Sequence, residues 1–382
     1  MNVWLRKMHG LALALALLPM GCTSGPDAPA DATFATPANS VVTILPARNA
    51  APIASGKGAA LSPAARHATL VIEAATDISL MRPFLDGFRA RHPDVAILYV
   101  DMLSTELLDH ARARCLQGRD GPDLFISVAT DHLVRLANDG CAQGAGLAAP
   151  DWRQWRNEVY AFALEPAVFV YNRRLMPPPT VPDSHGALAA LLRDRAAWLD
   201  GRIATYDIRK SGLAYNYAEF DSREAPLYGR LIESFGRGHI RLFCCSNTMV
   251  DAVARGDVLL AYNVQLSYAY AAQRRHEDVG VIVPRDYQAV QTRSAMIAKD
   301  AVRPDLARSF LAFLLSQEGQ GIASRILTPP LTPLRPDPRA AFVPSERLLS
   351  QANVSSSLLR LQDQARRRVF LQEWLQAIAP AK

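Results

Sequence analysis

Residues 159–174, VYAFALEPAVFVYNRR, constrain the fold of this chain more than any other stretch. Two apolar runs, 159–164 and 167–171, flank Glu165 and Pro166, and both are rich in the β-branched and aromatic side chains of buried strands. Proline has no amide hydrogen to give a central ladder, so Pro166 predicts a break where one strand ends and the next leaves in a new direction. Strand and helix patterns alternate on both sides. The stretch therefore reads as a crossing between two α/β lobes with a cleft between them.

The chain has 382 residues, 49% of them hydrophobic, enough for two lobes that each bury a core. Its net charge of +6 falls to about +4 once Arg6 and Lys7 leave with an acid-free leader. A surplus that small does not argue for a nucleic-acid partner. The one compact basic cluster, Arg366, Arg367 and Arg368, reads as a solvated helix face.

Arg6 and Lys7 precede an apolar run, 11–18, too short for a bilayer span of about 20 residues but suited to the core of a secretory signal. Residues 1–22 are thus expected to be a signal peptide and the protein to be periplasmic. Gly21 and Cys22, followed by small polar residues, look like the lipid-attachment site of bacterial lipoproteins, with Pro19 where that motif has leucine. Cys22 is the expected lipidation site, and if modified it would anchor the chain to a membrane; the alternative is ordinary cleavage to a soluble periplasmic form. Cys115, Cys141, Cys244 and Cys245 remain, an even number that permits three pairings in an oxidising compartment. Cys115 ends one helical pattern and Cys141 follows another, which suits a staple. The adjacent Cys244 and Cys245 fit either a vicinal bridge or two buried thiols.

Residues 23–66 hold six prolines and no sustained hydrophobic period, and are expected to be a disordered tether. As flexible coil it would span about 35 Å. The folded part is expected to divide into a first lobe, 67–165 with 280–382 and a carboxyl-terminal helical extension, and a second lobe, 166–279. In the first lobe 69–74, 95–100 and 124–127 read as strands. Leu80, Met81, Phe84, Leu85 and Phe88 recur at helical spacing, with Asp77 or Ser79 as cap. Ser104 is the expected cap of a second helix. In the second lobe 202–208 and 258–262 read as strands, and Ser246 or Asn247 caps a helix closed by Gly256. Segments 279–283 and 294–298 are expected to return the chain to the first lobe. Val369, Leu371, Trp374, Leu375 and Ile378 form a last amphipathic pattern that suits core packing.

No phosphate-binding glycine loop, HExxH or nucleophile-elbow motif occurs, and the eight histidines are scattered. Glu106 and His110 share a helix face with no third ligand, a surface pair in preference to a metal site. No catalytic residues, cofactor or metal are assigned, and the chain reads as a binder, not an enzyme. Polar residues do gather at expected strand ends, where open α/β sheets bind ligands. They are Thr76 and Asp77, Ser127 and Thr130, Tyr206 with 207–211, and Tyr262 with Asn263.

The ordered segments LVIEAATD, FRARHPDVAILYV, GPDLFIS, VYAFALEPAVFVYN, GRIATYDIRKSG, ARGDVLLAYNV and LARSFLAFLLSQEGQ resemble the bacterial extracellular solute-binding proteins of ABC importers. The branch is the one with ferric-iron, thiamine and phosphoglycerate-linked members, and the likeness covers about residues 70–327. It implies a type II periplasmic-binding-protein fold, two α/β lobes joined by crossing strands that close on a ligand by hinge motion. Ferric-binding members carry two adjacent tyrosines where this chain has Leu266 and Ser267, so an iron site of that kind is not expected. TYDIRKSG is more similar to phosphoglycerate transport regulatory components.

The expected function is capture of a small polar or anionic ligand, an organophosphate or carboxylate, for delivery by a monomer to an ABC permease. The alternative is a regulatory protein that touches a membrane sensor kinase. Arg209 and Arg293 would meet ligand charge, since guanidinium forms paired hydrogen bonds with such anions. Ser127, Ser211 and Asn263 would supply hydrogen bonds, with Thr76 and Asp77 beside them, while Tyr206 and Tyr262 would wall the site.

Overall fold

The middle of the chain is one strand where two were expected. In the computed structural model, which describes residues 34–36, 40–47, 60–118, 121–224, 227–326 and 352–378, Val159–Asn172 runs unbroken for 14 residues. Its amino half pairs antiparallel with Val290–Ala298, from Val159↔Met296 to Pro166↔Val290. Its carboxyl half pairs with Leu260–Gln265, from Ala167↔Gln265 to Tyr171↔Leu260, and with Val279–Ile282. One ladder ends at Pro166 and the next begins at Ala167, so the missing amide falls where the partner changes and costs nothing. Ala167 donates its own N–H to the Ala289 carbonyl at 2.8 Å. The strand is itself the crossing between lobes.

On either side of this strand the ladders turn parallel, as alternating strands and helices require. In the first lobe Thr69–Ala75 lies between Ala96–Asp101 and Leu124–Ser127. In the second, Ile203–Tyr206 lies between Arg241–Phe243 and Leu260–Gln265. The first-lobe sheet is covered on both faces. Leu70 and Ile72 pack with Phe84, Phe88, Phe162 and Phe310, while the intervening Val71 packs with Leu107, Leu133 and Met296 on the other side. Each such side chain contributes roughly 1.5–3 kcal/mol by burial. The helix Ile78–Arg91 buries the five residues expected of it.

Three expectations are corrected. Part of the supposed tether is structured: Val41–Leu45 forms the sheet's outer strand, antiparallel to Ala96–Asp101, with Val42 and Ile44 buried. Proline-rich surroundings hide that short β-branched run. Arg66, in the helix Pro63–His67, forks onto the buried Asp123 at 2.8 Å through both amino groups. Second, Val279–Ile282 pairs with the carboxyl half of the crossing strand, so Val290–Ala298 alone makes the return. Third, the terminal residues do not stay on the first lobe. Ala352 and Val354 pack with Val134, Leu164 and Val290. The helix Gln364–Ile378 then lies over the second lobe, where Trp374 enters the core. It approaches so closely that a Cβ on Gly236 would sit 2.0 Å from the Ala377 carbonyl oxygen. Cys22 and the leader lie outside the described residues.

The cysteines pair as Cys115–Cys141 and Cys244–Cys245. The first staples two first-lobe segments. The second closes a ring between neighbours at the carboxyl end of Arg241–Phe243.

Candidate ligand-binding cleft

The cleft floor begins where the first-lobe strands end. The register Ala74↔Asp101 sets Asp101 beside the end of the neighbouring strand, two residues short of Thr76. The Thr76 carbonyl accepts from the Tyr99 hydroxyl at 2.6 Å. Asp77 is the N-cap of Ile78–Arg91, yet its carboxylate makes no cap bond. It reaches across instead. The Asn247 amide nitrogen donates to it at 3.0 Å, and the Tyr268 hydroxyl donates to its other oxygen, so two second-lobe side chains meet one first-lobe acid. Burial, reinforced by the negative charge of Asp77, pushes the Asp101 carboxyl up to about 8.

Behind this floor lies a buried ion pair at the crossing. Arg293 donates to Glu165 at 2.7 Å, both side chains are fully buried, and Arg293 also donates to the Thr76 hydroxyl. The Ser267 hydroxyl takes the second Glu165 oxygen at 3.0 Å. Arg293 is therefore a structural link between the return and crossing strands. It does not present a free guanidinium to a ligand, contrary to expectation, because Glu165 neutralises it where no water reaches.

Arg209 is also engaged. Its guanidinium forks onto Asp207, two residues earlier, at 2.7 and 2.6 Å, and its side chain is 48% exposed. Hydrogen bonding from Arg209 holds the Asp207 carboxyl below the usual carboxylate range. The loop that carries them touches the first lobe. Thr105 donates its hydroxyl to the Lys210 carbonyl at 3.0 Å, and the Gly212 N–H donates to the Ser104 hydroxyl at 3.0 Å. Ser104 thus serves this contact rather than capping its own helix, whose N-cap is Leu103. Glycine at 212 permits the approach, since a Cβ there would stand 2.4 Å from the His132 ring.

The remaining expected residues divide between turn chemistry and an interior cavity. Ser127 accepts the Ala129 N–H at 3.1 Å and Ser211 accepts the Ala214 N–H at 3.3 Å, local bonds that hold a turn and a helix start. Tyr206, Tyr262 and Asn263 come together inside the second lobe, where they line a cavity of about 20 Å³ with Tyr217, Asp221 and Trp374. The Tyr262 hydroxyl and the Asn263 amide both donate to Asp221, at 2.8 and 2.5 Å. Burial pushes the Asp221 carboxyl up to about 7 against these two bonds. Asn263 turns inward at an irregularity in the ladder, with φ of 59°, a conformation asparagine tolerates. Tyr206 faces both regions, because its hydroxyl also meets Ser246 at 2.6 Å, and Ser246 donates to Gln265 at 2.9 Å.

Of the nine expected binding residues, Arg209 and Ser211 sit on the loop whose Lys210 and Gly212 touch the first lobe, and Thr76 and Asp77 lie at the contact between lobes with Arg293 behind them. Asn247, Tyr268, Asp101 and Glu165 complete that region and were not foreseen as a site. Glu106 accepts the Leu103 N–H at 3.2 Å, and His110 pairs with Glu73 at 3.1 Å. Among the described residues, no group of three or more His, Cys, Asp or Glu side chains is set to hold a metal ion. No described helix is long and apolar enough to cross a membrane.

Two α/β lobes, one shared crossing strand and a polar contact at the strand ends define a periplasmic-binding-protein fold of type II. The chain belongs to the bacterial extracellular solute-binding protein family, whose model matches residues 70–325. It is similar to the substrate-binding protein of an ABC transporter from Agrobacterium tumefaciens, with 31% identity and a TM-score of 0.80 over 90% of this chain and 100% of that one. AfuA from Actinobacillus pleuropneumoniae, with fructose-6-phosphate bound, shares the fold at 18% identity and a TM-score of 0.64, over 82% of this chain and 99% of AfuA. Iron-bound HitA from Pseudomonas aeruginosa does so at 18% and 0.61, over 80% and 99%. No curated protein sequence matches the chain. The family is one of extracellular solute-binding proteins, and AfuA is described as a periplasmic binding protein.

Proposed function

We propose that the protein captures a small polar ligand between its lobes by hinge closure and delivers it to an ABC-type permease. The observation that carries this reading is the bridge from Asp77 to Asn247 and Tyr268, which ties the strand ends of one lobe to helix starts of the other. A ligand that replaced or extended those bonds would touch both lobes only when they are closed. It would shift the population toward that state.

The charge balance refines the ligand class. An organophosphate or carboxylate would be met by a cation or by helix amino-terminal amides, and of the two arginines expected to meet it Arg209 is forked onto Asp207 and Arg293 is spent on Glu165. Asp77 puts a carboxylate on the floor, while Asp101, which keeps its proton up to about pH 8, adds no charge. That balance favours a ligand that donates through hydroxyl or amino groups, with Asn247, Tyr268 and Gln265 supplying further bonds. Anchoring through Cys22, a monomeric state and the absence of turnover belong to the same proposal. The regulatory alternative draws support from a structural neighbour described as a two-component system protein that mediates signal transduction.

Thermal unfolding against two pools, one of polyols and amines and one of phosphates and carboxylates with fructose 6-phosphate included, tests the reading. A ligand at 100 times its Kd adds about 2.7 kcal/mol of stability. A raised midpoint with the first pool, lost in Asp77→Ala and kept in Arg209→Ala, supports it. A shift confined to anions and lost in Arg209→Ala overturns the ligand class.

A further inference from the structure

We propose that the Cys244–Cys245 bridge is a redox-responsive site that governs how the second lobe meets Asp77. The inference rests on the cleft reading above, and adds a regulator to it. Pairing of Tyr206 with Phe243 places the bridge just beyond the strand end, and the Asp207 N–H donates to the Phe243 carbonyl at 2.8 Å. Cys245 is the N-cap of the helix Ser246–Arg255, with extended φ and ψ of −146° and 149°. Its carbonyl accepts from the Met249 N–H at 3.2 Å and the Thr248 hydroxyl at 3.0 Å. The next two residues are those that work at the cleft. Ser246 stands between Tyr206 and Gln265, and Asn247 reaches Asp77.

A cross-link stabilises a fold chiefly by removing loop entropy from the unfolded chain, and that gain grows with the loop closed. The Cys115–Cys141 bridge, at a separation of 26 residues, gains much; a bridge at a separation of 1 gains next to nothing. What the vicinal bridge changes is local. Its small ring restricts the backbone of the two residues that aim Ser246 and Asn247. Both cysteines are partly exposed, so a thiolate can approach. A cysteine thiolate at a helix amino terminus is stabilised by the free amides there, which makes Cys245 the better leaving group.

The reductant is a dithiol. One of its thiolates attacks the Cys244 sulfur, the S–S bond breaks, and the Cys245 thiolate leaves and takes a proton. The second dithiol sulfur then attacks the mixed disulfide and releases Cys244. Two electrons and two protons pass to this protein, and the dithiol becomes a disulfide. With the ring open, the turn relaxes and Asn247 is no longer held against Asp77.

The test uses the full-length ligand-free protein, so a failed ligand search does not affect it. Dithiothreitol is titrated in, free thiols are alkylated and located by mass spectrometry, and amide hydrogen exchange is followed. Cys244 and Cys245 should be alkylated before Cys115 and Cys141. Exchange should rise several-fold in 246–249 and, across the cleft, in 77–80, while the melting midpoint moves by no more than about 1 °C. Cys244→Ser with Cys245→Ser should reproduce that exchange without reductant. Alkylation of both residues before any reductant is added would overturn the proposal. So would exchange that rises at 244–249 and leaves 77–80 unchanged.

Discussion

Replacing Asp101 by asparagine should stabilise the protein, and by an amount that depends on pH. The carboxyl is pushed up to about 8, first by burial and then by Asp77, from an ordinary 3.8. Above pH 3.8 the unfolded chain releases this proton while the folded protein keeps it until about 8. The folded state therefore binds more protons throughout that window, and stability falls as pH rises through it. Integrating between the two values puts the cost on the order of 1.5 kcal/mol at pH 5 and 5–6 kcal/mol at pH 8.5. Asparagine has no proton to lose and retains an acceptor for the Ile78 N–H. Urea unfolding followed by tryptophan fluorescence should show Asp101→Asn gaining roughly 4 kcal/mol over the parent between pH 5 and pH 8.5, with an unchanged m-value. A gain of the same size at both pH values would refute the reasoning.

Other substitutions test other parts of the fold. Arg293→Met should cost about 3–5 kcal/mol by stranding Glu165 in the interior, and Glu165→Met with Arg293→Met should recover most of it, measured by urea unfolding. Serine at both Cys115 and Cys141 should cost about 3.5 kcal/mol through loop entropy and lower the midpoint accordingly. Trp374→Ala should lose about 3–5 kcal/mol, because its indole fills the second-lobe core, and calorimetry that found no change would contradict the docking of the terminal helix.

The sequence made some of this legible and hid the rest for physical reasons. Helical spacing from Leu80 to Phe88 announced a buried face because those contacts are periodic and local. The crossing was legible because two apolar runs met without a turn between them. Pro166 misled because its meaning depends on which neighbouring strand faces its nitrogen, a question of pairing. The short run VVTIL was lost among prolines, since 5 residues give periodicity little to act on. Asn247 and Tyr268 meet Asp77 from 170 and 191 residues away, and no local pattern encodes that. The fate of Arg209 was within reach: an aspartate two positions earlier is close enough to claim a guanidinium.

Small-angle X-ray scattering, with and without a saturating ligand from the thermal screen, tests the central claim most directly. Closure of two lobes about the crossing and return strands, by raising the population of the bridged state already sampled without ligand, predicts a smaller radius of gyration on ligand addition, an effect absent in Asp77→Ala. Superimposable curves for the free and saturated wild-type protein would contradict capture by hinge closure.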